Sequence, residues 1–218
     1  MTAIKICGIT RHQDALAAAR CGANAIGLVF YAQSPRHVTP ARAAELIRAL
    51  PPFVMSVGLF VDAAADEVKQ TCAAARVDLL QFHGDESPAY CRQVSRQCGV
   101  PYLKALRVRA GVDLLQYAGA YHDAKALLLD AYVEGTHGGT GATFDWALIP
   151  KNLPLPVVLS GGLTLENVTA AILAVRPWAV DVSSGVESPE LAGGVVSKGI
   201  KDAAKIAAFV TGVRNAEG

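Results

Sequence analysis

The sequence predicts an α/β protein built as a single (βα)8 TIM barrel. Three observations carry that prediction. Short apolar runs bounded by Gly, Asp or Pro recur roughly every 25 residues along the 218-residue chain. Ala-rich segments with helical periodicity separate them, and eight such units fill residues 1–218, leaving no room for a second domain. Brief apolar runs of this kind read as buried strands of a parallel sheet. An open doubly wound sheet shares the alternation, but it calls for a Gly-rich dinucleotide turn after the first strand, and GITRHQ is not one. Eight near-equal units favour closure.

Taken in order, the first strand is IKIC from Ile4, followed by helical HQDALAAARC. AIGLVF from Ala25 runs into a long loop that ends at Thr39 and Pro40, a capping threonine before a proline at the first helical position; ARAAELIRAL follows. MSVGLF from Met55 precedes ADEVKQTCAAA, and LLQF from Leu79 precedes PAYCRQVSRQC. YLKAL from Tyr102 and ALLLD from Ala126 are each followed by a short helix, at 113–117 and 144–149. PVVLS from Pro156 leads to LENVTAAILAV, which Thr164 before Glu166 is expected to open. AVDVS from Ala179 leads to a last helix over SKGIKDAAKIAAFV.

Composition narrows the function. With 20 Lys+Arg against 19 Asp+Glu, 52% hydrophobic and 18% charged residues, the chain is neither disordered nor equipped to attract a polyanion. Nucleic-acid and membrane partners are therefore not expected. Cys7, Cys21, Cys72, Cys91 and Cys98 show no CxxC spacing, which argues against a disulfide framework or a zinc ribbon. The N-terminus has no secretory apolar stretch, and the most apolar window, 52–61, is half a membrane span. A cytoplasmic protein is expected.

In such a barrel the active site lies on the loops at the C-terminal ends of the strands. Those positions hold Cys7, residues 31–36 with Arg36, Asp62, His83, Arg107, Asp130, Ser160-Gly161-Gly162 and Ser183-Ser184-Gly185. Paired Gly/Ser turns after the seventh and eighth strands point to a phosphate site, because glycine leaves its amide unscreened for an anion; each alone reads equally as a tight turn. A thiol at a strand rim is core packing or a base, the latter if a cation lowers its pKa. Asp130 closes an apolar run, where poor solvation favours the protonated form a general acid needs; a cap or loop salt bridge is the alternative. Arg36 has the fork to hold a carboxylate, with a solvated loop arginine as the alternative, and His83 is a ligand, a base or a satisfied polar residue. Lys5, Gln81 and Asp181 each precede a rim residue by two positions and share its inward side, so they form a polar layer inside the barrel. Within it, Lys5 and Asp181 are expected to pair, with Gln81 nearby. The Gly-rich loop 132–143 is expected to close over substrate.

The motifs KICG (5–8), GLVFYAQSPR (27–36), QFHGDE (81–86), LLLDA (127–131), GGTG (138–141), SGGL (160–163), DVSSGVE (181–187) and GIKD (199–202) occur in order along nearly the whole chain. Together the chain resembles phosphoribosylanthranilate isomerases of tryptophan biosynthesis. The resemblance implies an Amadori rearrangement of a phosphorylated small molecule, with Cys7 as general base, Asp130 as general acid and Arg36 on the anthranilate carboxylate. His83, Gly161, Gly162, Ser183, Ser184 and Gly185 complete the expected substrate site. It implies no cofactor and no metal, and a monomer or a homodimer. Other phosphate-binding barrels of tryptophan or histidine biosynthesis would be expected to carry rim lysines or a pair of aspartates, and Cys7 separates this chain from both. A silent binding barrel would be expected to lack Cys7 or Asp130.

Overall fold

A computed structural model describes residues 1–131, 143–188 and 198–216. Its elements are β1 (Ala3–Ile6), α1 (His12–Cys21), β2 (Ala25–Val29), α2 (Pro40–Arg48), β3 (Met55–Phe60), α3 (Ala65–Ala75), β4 (Leu79–Phe82) and α4 (Pro88–Cys98). They continue with β5 (Tyr102–Val108), α5 (Leu114–Ala120), β6 (Leu127–Ala131), β7 (Val157–Leu159), α6 (Val168–Val175), β8 (Ala179–Val182) and α7 (Ala203–Asn215). The eight strands form a closed barrel in chain order. Parallel pairing of β8 with β1 completes it, and sets Lys5 beside Asp181.

Local chemistry accounts for the helix starts. Thr39 accepts the Arg42 amide and Ser87 the Tyr90 amide, each followed by proline at the first helical position. Three expectations need correction. Segment 144–149 holds only a 3-10 turn, Trp146–Leu148. Helix α6 starts at Val168, because Thr164 is spent on the turn before it: its amide donates to Asn167 Oδ1 at 2.8 Å. Helix α7 starts at Ala203, where the Asp202 carboxylate accepts the amides of Ala204 and Lys205. Before it, Gly199 turns at φ +85° and Lys201 makes an antiparallel bridge to Glu187, which a helix over that stretch would preclude. The expected lid at 132–143 falls outside the described residues up to 142.

Strand residues alternate between two interiors. Ile4, Ile6, Ile26, Leu28, Leu80 and Phe82 face the helices and are fully buried, each worth about 1.5–3 kcal/mol of apolar transfer. Leu103, Ala105, Leu128 and Val158 make a separate apolar cluster within the barrel. Lys5, Asp181 and Gln81 put charged and amide side chains inside the same barrel, all buried. A further apolar group, Val29, Leu59 and Val61, packs with Cys7, so polar and apolar side chains share the inside of the barrel. Among the described residues, no helix is long and apolar enough to cross a membrane.

Candidate active site

Cys7 lies one residue beyond β1 and is 6% exposed. Gly27 on the neighbouring strand makes room for it, since a Cβ there would stand 2.7 Å from the Cys7 sulfur. Burial pushes the thiol above its ordinary value, while the ammonium groups of Lys5 and Lys201 pull it down and Asp181 opposes them; the balance is upward. The cations that a thiol base requires are present, but burial outweighs them. For Lys5 burial acts downward, and Asp181 and Cys7 more than reverse it. Its Nζ donates to Asp181 Oδ1 at 2.9 Å, an ion pair between two buried side chains. The expected Lys5–Asp181 pair therefore forms, but Gln81 bonds elsewhere.

Asp130 is 4% exposed near the end of β6. Its Oδ1 accepts the Ala131 amide at 2.9 Å, and its Oδ2 lies 3.1 Å from His83 Nε2. On the far side of that ring, Nδ1 lies 2.8 Å from the side-chain nitrogen of Gln81. Glu86 and Lys104 shape the loop carrying His83. The Glu86 carboxylate accepts the amides of Asp62 and Gly84, and Lys104 donates to Glu86 at 2.8 Å and to the Gly84 carbonyl at 2.6 Å. Asp62 and Arg107, also rim positions, engage the exposed Asp85 instead: Asp62 accepts its amide, and Arg107 bonds its carboxylate.

Arg36 is buried, and its Nε and Nη2 donate to the two oxygens of Glu187 at 2.7 and 2.9 Å. Glu187 also accepts from Lys201 at 3.0 Å and from the Gly199 amide at 2.9 Å. Burial works to raise the Glu187 carboxyl, but the Arg36 hydrogen bonds and the Lys201 charge hold it below the usual range. Burial lowers Lys201, and Glu187 only partly offsets this. Arg36 thus reaches the rim with two of its nitrogens already engaged, leaving Nη1 for any further carboxylate. Sequence reasoning gave no role to Glu187, Lys201, Glu86 or Lys104. Three of them sit inside quoted motifs, and a charge embedded in DVSSGVE, QFHGDE or GIKD was the signal available.

The turns after β7 and β8 touch. A Cβ on Gly185 would collide with the Leu163 carbonyl, and one on Gly161 would stand 2.9 Å from Asp130 Oδ1. Gly161 and Gly162 both have positive φ, +84° and +60°, which strains any other residue there. The amides of Gly161, Gly162, Ser184 and Gly185 donate to no other described residue. Ser183 ties this corner to the first strand, because its hydroxyl donates to the Cys7 carbonyl at 3.1 Å, and Lys201 Nζ donates to the Ser183 carbonyl at 3.0 Å. The rim therefore gathers Cys7, Arg36, His83, Asp130, both Gly/Ser turns and a fringe of cations. A cavity of about 910 Å³ opens at the opposite end of the barrel, lined by Met1, Trp146, Pro150 and Trp178, and shares no residue with this rim. Among the described residues no cluster of three or more His, Cys, Asp or Glu is placed to hold a metal.

A family model described as N-(5'-phosphoribosyl)anthranilate isomerase matches residues 4–212. The chain belongs to this family. An isomerase of that name from Nitrosospira multiformis is 58% identical over 96% of this chain and 95% of its own length. The structure of phosphoribosyl anthranilate isomerase from Thermotoga maritima superposes with a TM-score of 0.87 at 36% identity, over 99% of this chain and all of that one. A further solved isomerase, in complex with reduced 1-(o-carboxyphenylamino)-1-deoxyribulose 5-phosphate, has a TM-score of 0.84 at 35% identity, over 99% of this chain and all of that one. The isomerase family is thus matched across the whole rim, from β1 to α7.

Proposed function

We propose that this chain isomerises N-(5-phosphoribosyl)anthranilate to 1-(2-carboxyphenylamino)-1-deoxyribulose 5-phosphate, by general acid–base catalysis on the rim. The observation that carries this is a thiol and a carboxyl sharing one rim with two amide-rich turns. Asp130 gives its proton to the ribose ring oxygen; the C1–O bond breaks and the anilino nitrogen forms a Schiff base. The Cys7 thiolate then takes the C2 proton, whose electrons form C1=C2 and return the imine pair to nitrogen. The balance closes when Cys7 returns a proton to C1 and the enol hydroxyl restores Asp130. The rearrangement is redox-neutral within the substrate, each bond change being coupled to a proton transfer, so it needs no external oxidant or reductant.

The substrate phosphate sits on the free amides of Gly161, Gly162, Ser184 and Gly185, with the Ser183 corner beside it. Arg36 offers Nη1 to the anthranilate carboxylate, and His83 holds Asp130 at the edge of the substrate. Residues 1–218 act as one catalytic barrel domain, in the cytoplasm, as a monomer or homodimer. The test is direct: purified protein mixed with fluorescent phosphoribosylanthranilate should extinguish its fluorescence in proportion to enzyme added. Fluorescence decaying only at the rate of the protein-free control would reject the reading.

A further inference from the structure

We propose that Gln81 is a positioning residue for the acid: it fixes the tautomer of His83, and through it keeps the Asp130 proton aimed at substrate. The inference rests on the reading of Asp130 as general acid. Gln81 is wholly buried on β4, two residues before His83 and on the same inward side. Its side-chain nitrogen lies 2.8 Å from His83 Nδ1, and its buried Oε1 has no hydrogen-bond partner among the described residues.

That orphan oxygen decides which way the amide faces. Either orientation leaves one polar end of Gln81 unpaired in the barrel interior. Turned as observed, the unpaired end is a carbonyl oxygen; turned over, it is an NH2 with two unsatisfied protons. Buried carbonyl oxygens go unpaired more readily than buried N–H groups. The amide nitrogen therefore donates to Nδ1, that nitrogen holds a lone pair, and the ring proton sits on Nε2. Nε2–H points at Asp130 Oδ2, 3.1 Å away.

Two consequences follow for the reaction. With a proton already on Nε2, His83 has no lone pair to take the Asp130 proton, which stays on the carboxyl face turned to the substrate. Once that proton has gone to the ring oxygen, the carboxylate left behind meets two ready donors, Nε2–H and the Ala131 amide. Donors placed for the form that appears during the reaction lower its barrier rather than tightening ground-state binding. The opposite tautomer would draw the acid proton toward the ring and offer the new carboxylate a lone pair.

The experiment pairs nitrogen-15 NMR of His83 with kinetics of Gln81→Glu and Gln81→Met. In the unaltered protein, His83 Nδ1 should resonate as the unprotonated nitrogen and Nε2 as the protonated one. Gln81→Glu puts an acceptor against Nδ1 and should move a proton onto it. Its kcat should fall at least about tenfold, short of the 10²–10⁴-fold expected for losing the acid itself, and the pH profile of kcat should shift. KM should stay within about threefold, since the phosphate turns and Arg36 are untouched. Gln81→Met keeps the bulk, removes the donor, and should lie between. Should Gln81→Glu fail to fold, Gln81→Met and the spectrum of the unaltered protein still decide the matter. A protonated Nδ1 in an active enzyme, or wild-type kcat and pH profile in folded variants, would overturn the positioning role alone. A protein unable to convert substrate at all would overturn the isomerase reading, and this inference with it.

Discussion

Cys7 feels opposed influences, and their balance sets how it reacts. Burial raises the thiol while Lys5 and Lys201 lower it, with a net upward shift. A thiol reacts as thiolate, so alkylation of Cys7 in substrate-free protein should be slow at neutral pH and still accelerate above about pH 10, where an ordinary thiol near 8.5 has levelled off. Peptide mass spectrometry would follow Cys7 apart from Cys72 and Cys91, both pushed to about 12. Cys7→Ala and Asp130→Asn should each lower single-turnover rates about 10²–10⁴-fold. Near wild-type turnover in Cys7→Ala would return the thiol to core packing. At this scale the sequence was legible where strand parity decides: Cys7, Asp130 and the Lys5–Asp181 pair follow from rim ordinal and period two. Partnerships across long separations were not. Arg36 meets Glu187 from 151 residues away, and nothing local in SPRH announces that its fork is already occupied.

Strands were more legible than helix starts, because burial marks every residue of a central strand whereas a helix start depends on one cap. The structure has all eight strands within a residue of their expected beginnings. It moves two helix starts, at Val168 and Ala203, to where Thr164 and Asp202 spend their hydrogen bonds. The turns after β7 and β8 carry the sharpest test of an element. Gly162→Asp places a carboxylate among the free amides and should raise KM for the phosphorylated substrate at least tenfold, at a modest cost in stability because aspartate tolerates φ +60° better than most residues; unaltered affinity in the folded variant would reject the phosphate site. Gly161→Ala acts differently. Its Cβ would press on the Asp130 carboxylate, and φ +84° is strained for alanine, so kcat and stability should fall together.

Across the whole molecule, the Arg36–Glu187–Lys201 cluster laces the loop after β2 to the segment between β8 and α7. Glu187 titrates lower in the folded protein than its unfolded value of 4.5. The stability it contributes is therefore fully present above about pH 4.5 and is lost as pH falls through the lower folded value. Glu187→Gln leaves two buried cations without their carboxylate, and should cost about 3–5 kcal/mol near neutrality. The gap in melting temperature from wild type should narrow as pH drops below 4.5; a constant gap down to pH 3 would show the charge to be irrelevant.

The ion pair between Lys5 and Asp181 spans 176 residues of chain, across the seam where the last strand meets the first. A ribosome releases Lys5 early and Asp181 late, so Cys7 waits for nearly the whole chain before its charged surroundings exist. Contacts so distant in sequence are slow to form. The C-terminal helix nevertheless returns to the start, with Arg214 donating to the Thr2 carbonyl at 3.0 Å. A circular permutant joined there and opened between α4 and β5 would turn the seam into a neighbourly contact. Stopped-flow refolding of that permutant should outpace the natural order, and equal rates would mean that seam closure is not what limits the birth of the active site.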